Sequence, residues 1–171
     1  MQQTEHLIKK MPLDSTNNRR PVLVLGIGNI LLHDEGIGVY AIRELQKISV
    51  PDYVETLDGG TAGADLLDHI SDRVKVIVVD AVDANIPPAA VLRLKPADLV
   101  SDTRHSISLH EFGLAETIAM ARHLNCAPRD VVIFGVKPKN TTPGLGLSSE
   151  MTNVLPFVID CIFAEIQSMN N

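Results

Sequence analysis

The chain has no tryptophan, and only 4% of its residues are aromatic. Its core must therefore be aliphatic, filled by Val, Ile, Leu and Ala. Cysteine is almost absent too. Cys126 and Cys161 form no CxxC and no zinc spacing. Two buried thiols in a reducing compartment are expected, with no structural disulfide. Basic clusters are missing beyond Lys9-Lys10 and Arg19-Arg20, and 15 basic against 21 acidic residues give a net charge of −6. This balance disfavours nucleic acid and acidic membrane surfaces as partners, because both are gripped by clustered Lys and Arg. No apolar run approaches the roughly 18 residues of a membrane span. Residues 1–20 also lack the apolar stretch of a signal peptide, so a cytoplasmic protein is expected.

What is present suits one domain. A chain of 171 residues, 45% of them apolar, closes a real core without staples. Residues 1–20 read as a flexible arm, with the polar run Asp14-Ser15-Thr16-Asn17-Asn18 as its centre. Residues 21–168 read as a single α/β domain. Val22-Leu23-Val24-Leu25, Val74 to Val79 and Val131 to Val136 are continuous apolar runs, as in strands buried on both faces. Tyr53 to Leu57 and Ala90 to Leu94 predict two more strands. Helical spacing is seen over 37–48, 63–70, 111–124 and from Ser148 to about Gln167. Ser148 has the chemistry of an N-cap, and Pro156 is expected to start or kink part of that last helix. This alternation predicts a three-layer fold: a mostly parallel, twisted sheet of about five strands with helices on both faces. Ligands of such sheets bind beyond the carboxyl ends of the strands.

Gly26-Ile27-Gly28-Asn29 reads as a turn after the first strand. It is not a dinucleotide fingerprint, because the third glycine of GxGxxG is replaced by Leu31. Three residues are predicted at the carboxyl edge. Glu35 sits in the first strand–helix connection, Asp80 ends the strand Val76-Ile77-Val78-Val79, and His110 precedes a helix. Two carboxylates and an imidazole are reasonable ligands for a divalent ion such as nickel or zinc. Each also has an ordinary structural reading. Glu35 suits a helix N-terminus, Asp80 a turn cap, and His110 a helix start. Spacing alone leaves the trio open. Asp34 is expected to cap the following helix, and Asp58 to serve the Asp58-Gly59-Gly60 turn. His33, beside the acid pair, is the most plausible helper among the other histidines.

The segment from Gly26 to Val39 (GIGNILLHDEGIGV) resembles the opening motif of the nickel–iron hydrogenase maturation endopeptidases. The similarity continues through Leu57-Asp58-Gly59-Gly60-Thr61-Ala62-Gly63, Val79-Asp80-Ala81, Ser108-Leu109-His110-Glu111-Phe112-Gly113-Leu114 and Phe134-Gly135-Val136-Lys137-Pro138. The resemblance implies that Glu35, Asp80 and His110 bind metal and take part in catalysis. It implies cleavage of a short C-terminal peptide from the hydrogenase large-subunit precursor after nickel insertion. The nickel would be carried by the substrate, and zinc or cadmium would substitute in the isolated protein. No serine elbow and no HExxH motif offers another hydrolytic centre. Two alternatives differ in class: a metal-sensing chaperone that binds the same precursor without cutting it, and a nucleoside- or sugar-phosphate enzyme on a similar sheet. Loop 137–147 and segment 96–108 are expected to govern partner choice.

Overall fold

The computed structural model describes residues 19–63, 65–99, 108–109 and 113–170. The expected arm therefore lies outside the described residues, except for Arg19 and Arg20. Both are tied to the domain. Arg19 donates to Asp68, and Arg20 donates to the Val54 carbonyl at 2.7 Å.

The strands are β1 (Val22–Ile27), β2 (Val54–Gly60), β3 (Lys75–Asp83), β4 (Val91–Leu94), β5 (Ser108–Leu109) and β6 (Asp130–Val136). The helices are α1 (Ile37–Leu45), α2 (Leu66–Ile70), α3 (Leu114–His123) and α4 (Ser149–Gln167). Five strands lie in the order β2-β1-β3-β6-β4, all parallel except β4, which runs antiparallel to β6. The expected α/β fold with a mostly parallel sheet is what forms.

Alternation along the strands builds two cores. Val22, Val24, Ile77, Val79, Val132 and Phe134 face α1 and α4. Leu23, Leu25, Val76, Val78, Val131 and Ile133 face α2 and α3. Buried aliphatic side chains on both faces exclude water from the sheet, the main favourable term for a chain this poor in aromatics. Cys126 and Cys161 are half-buried free thiols packed against opposite cores, less enclosed than expected.

Several boundaries differ from the sequence expectation. Gly26-Ile27 is not a turn but the end of β1. The strand β2 runs on through Asp58-Gly59-Gly60. Asp80 does not end its strand, because β3 continues to Asp83. That extension has a partner: Val82 and Asp83 pair antiparallel with Leu109 and Ser108 of β5. α4 passes through Pro156 without a break. Its N-cap is Ser148, as expected, with Oγ accepting from Met151 N at 3.4 Å.

The topology fixes where a site can form. From β1 the chain crosses by α1 to β2 on one side. It then returns by α2, past β1, to β3 on the other. The switch point lies between β1 and β3, the crevice where open α/β sheets hold ligands. Pairing of β1 with β3 stops at Gly26 and Val79, so β3 projects beyond its neighbour from Asp80 onward.

Candidate active site at the carboxyl edge

Asp80 is the first residue of that projection. It follows the row of Val76 and Val78, so its side chain belongs to the face covered by α2 and α3. It is 1% exposed. Its Oδ1 accepts from the Ala81 amide at 2.7 Å. Burial pushes the Asp80 pKa well above the usual carboxylate range. The Ala81 hydrogen bond opposes that shift, and the charge of Glu35 adds to it. A carboxyl group that keeps its proton above the usual carboxylate range can donate that proton, and a cation arriving beside it would favour its ionised form instead.

Glu35 reaches the same crevice from the other side. It lies in a 3₁₀ turn, His33–Gly36, between β1 and α1, and is 6% exposed. It is not the solvated helix-start residue that the ordinary reading offered. Glycines make this placement possible. A Cβ on Gly38 would lie 2.2 Å from the carbonyl oxygens of Ile27 and Val79, and one on Gly26 would lie 2.1 Å from the Gly38 carbonyl. The start of α1 is thus pressed directly onto the ends of β1 and β3. Gly28 has φ +146°, and a Cβ there would come within 1.9 Å of the Glu35 carbonyl oxygen. The glycines serve backbone contact between layers more than chain reversal.

Asp34 does not cap α1, whose N-cap is Gly36 with no side-chain bond. The Asp34 carboxylate is fully buried and turns away to the loop between β6 and α4. It accepts from the amides of Lys139 at 3.0 Å, Asn140 at 2.7 Å and Ser148 at 2.7 Å, and from Ser148 Oγ at 2.9 Å. Sequence reasoning missed this role, since its partners lie more than 100 positions away. His33 follows the same direction. Its Nδ1–H donates to the Gly146 carbonyl at 3.1 Å, so the ring serves the loop and not the acids. Asp58 is exposed, and its Oδ1 accepts from Gly60 N at 3.0 Å, the local bond expected of it, although the segment is the end of β2 and not a turn.

The third expected residue, His110, lies outside the described residues, as does most of segment 96–108. Its described neighbour Leu109 pairs with Val82, two positions beyond Asp80. Among the described residues no three His, Cys, Asp or Glu side chains form a metal-ligating cluster. Glu35 and Asp80 are the oxygen donors this crevice offers to a cation. The donor chemistry fits: a divalent ion would offset the like charges of two neighbouring carboxylates and so let both ionise. Also among the described residues, no helix is long and apolar enough to cross a membrane.

The family model described as hydrogenase maturation protease matches residues 39–165. The chain is 35% identical over 148 residues to the hydrogenase 2 maturation protease of Escherichia coli, covering 85% of this chain and 90% of that one. It is 39% identical over 130 residues to a hydrogenase expression/formation protein of Bradyrhizobium diazoefficiens, covering 75% and 67%. The solved structure of a hydrogenase maturating endopeptidase from E. coli superposes with a TM-score of 0.77 at 34% identity, covering 86% of this chain and 92% of that one. With the fold, the buried acids at the switch point and these matches in agreement, the chain belongs to the hydrogenase maturation protease family and is an endopeptidase.

Proposed function

We propose that this endopeptidase removes the C-terminal extension of a nickel–iron hydrogenase large-subunit precursor, and that it acts once nickel is in place. The observation that carries the reading is the burial of Glu35 and Asp80 at the switch point, where burial, with a smaller contribution from the charge of Glu35, raises the pKa of Asp80. His110 completes the set, supported by the antiparallel pairing of Leu109 beside the exposed end of β3. Nickel belongs to the substrate. The three side chains meet it there, so the tail is presented only by a loaded precursor. Zinc or cadmium takes the same ligands in the isolated protein. Hydrolysis then needs a polarised carbonyl, an activated water and a proton for the leaving amine. Asp80, with its raised pKa, is suited to hold or deliver that proton, and the metal or a carboxylate activates the water.

Partner choice is assigned to the rim beside Glu35. Leu32 bridges to Gly144, and the residues flanking that bridge, Leu31 and Leu145, are 61% and 69% exposed. Large apolar side chains standing free beside a catalytic crevice are typical contacts for a protein substrate. Membership of a peptidase family weighs against the non-cutting chaperone. The deciding assay incubates the enzyme with nickel-loaded and nickel-free precursor and follows the loss of the extension. Cleavage of the loaded form alone is expected, and equal cleavage of both would remove nickel sensing. Full activity in Glu35→Gln or His110→Ala would remove the site assignment.

A further inference from the structure

We infer that Asp34 is a positioning residue for Glu35, acting through the loop 139–148, which it holds against the 3₁₀ turn. The inference rests on the reading of Glu35 as a working residue.

Consecutive residues of a 3₁₀ turn leave it about 120° apart. Asp34 and Glu35 therefore point in different directions from one rigid segment, and whatever holds Asp34 sets the aim of Glu35. Among the described residues, Asp34 is held from one source only. All four donors to its carboxylate come from residues 139–148. Its own amide donates to the Asn140 carbonyl at 3.0 Å. The chain just before Asp34 is stitched to the same loop, by His33 N to Gly144 O at 3.0 Å and Gly144 N to Leu31 O at 2.8 Å. Tyr40 of α1 joins them, its hydroxyl accepting from Gly146 N at 3.1 Å.

A fold-stabilising role alone explains this poorly. Burying an ionised carboxylate is costly, and here no Lys, Arg or His among the described residues forms an ion pair with it. The charge is met by oriented N–H and O–H dipoles, which fix direction as a flexible cation does not. Ser148 extends the tie, since the hydroxyl that donates to Asp34 also caps α4. Glu35 is thus referenced to the largest helix of the fold, and a catalytic carboxylate gains most from such second contacts.

The test measures kcat and KM for cleavage of nickel-loaded precursor well below the melting temperature. The proteins are wild type, Asp34→Asn, Ser148→Ala, Glu35→Gln and Glu165→Gln. Asp34→Asn keeps the shape but sets an NH₂ group against N–H donors. Its kcat should fall roughly ten- to a hundredfold, the cost of a misplaced group, with KM changed by less than about threefold. Ser148→Ala, which deletes one donor and spares the backbone, should lower kcat in the same direction and carries the test if Asp34→Asn does not fold. Glu165→Gln lowers stability far from the crevice and should leave kcat unchanged. Wild-type kcat in Asp34→Asn or, failing its folding, in Ser148→Ala, together with an inactive Glu35→Gln, would overturn the positioning role alone. An active Glu35→Gln would instead overturn the site reading beneath it. An equal loss of kcat in Glu165→Gln would reduce the effect to general destabilisation.

Discussion

Replacement of Gly28 by alanine tests the crevice at its tightest point. At φ +146° an L-residue is strained, and the added Cβ would sit 1.9 Å from the Glu35 carbonyl oxygen and 3.0 Å from its carbon. Relief of that overlap requires a relative movement of about 1 Å or more, since packed interiors do not absorb such contacts. Gly28 cannot supply it easily, because its amide donates to the Gly60 carbonyl at 2.8 Å. Glu35 must move. Strain and overlap together should cost about 2–4 kcal/mol. For a chain of this size that is a fall of roughly 5–15 °C in melting temperature. A 1 Å displacement of a reacting group costs on the order of a hundredfold in rate. Thermal melts followed by circular dichroism, and precursor cleavage measured on the folded protein, give the two numbers. Gly60→Ala separates strain from overlap: φ is +51° there, with the nearest contact at 4.0 Å, so a loss of only about 1 kcal/mol is expected. Gly28→Ala with a kcat within threefold of wild type would refute the claim that this glycine exists to seat Glu35.

Three further outcomes follow from the charges. Asp80→Asn should abolish cleavage yet raise the melting temperature at neutral pH. Burial, reinforced by Glu35, holds the folded pKa of Asp80 above its unfolded value, so the folded state binds the proton more tightly. Wild-type stability therefore falls as pH rises from about 4 through the folded pKa, and melts of the asparagine variant should lack that decline. Glu165→Gln removes the main partner of buried Lys75, which lies 2.5 Å from it. A loss of about 2–4 kcal/mol is expected in urea titrations, because Asp130 remains as a second partner. Burial works against the charge of Glu165, but hydrogen bonds from Arg93 and Lys75 outweigh it and lower its pKa. The wild-type advantage should be complete above about pH 5 and fade as the pH drops through that lowered value. Lys139→Met breaks only an exposed pair with Glu150, so the melting temperature should stay within about a degree. Carboxyl NMR should show Glu150 leaving its value of about 2 for the ordinary range, because the Lys139 hydrogen bond is the main cause of that shift.

Much of the fold was legible because its signals are local. Val22–Leu25, Val76–Val79 and Val131–Val136 are apolar without interruption, which marks strands covered on both faces. Ser148 announces its helix by capping chemistry. The placement of Glu35 and Asp80 near the carboxyl edge was legible as well, by the rule that ligands gather there, although Asp80 lies inside its strand and not at its end. The errors came from contacts that sequence patterning cannot reach. The extension of β3 past Ala81, where its pairing with β6 ends, rests on two residues of β5, and nothing in Asp80-Ala81-Val82-Asp83 foretells that pairing. Asp34 looked like a helix cap since capping is the common use of an acid at that place, but its partners are 105 to 114 positions away. The spacing of Gly26, Gly28, Gly36 and Gly38 was itself a usable signal. Glycines this dense on both sides of a strand–helix connection signal backbone packed on backbone.

The buried acids at the two edges of the sheet are met differently, and the contrast bears on function. At the amino edge, Glu165 and Asp130 meet Lys75, and Glu165 also meets Arg93 at 3.0 Å through both oxygens. Charge is neutralised by charge, which is how a protein settles buried acids whose work is structural. At the carboxyl edge, Asp34 and Asp80 have no cation among the described residues, only N–H and O–H donors. Burial of Asp80 under these terms is unfavourable, and a sequence selected for stability alone would replace it with an apolar residue or supply a lysine. Its retention at the topological switch point, beside a second carboxylate, marks the place where the fold accepts a cost. Under the proposed reading, that cost is relieved when the loaded precursor brings its cation. Metal state and cleavage are then linked through one free energy, without a moving part.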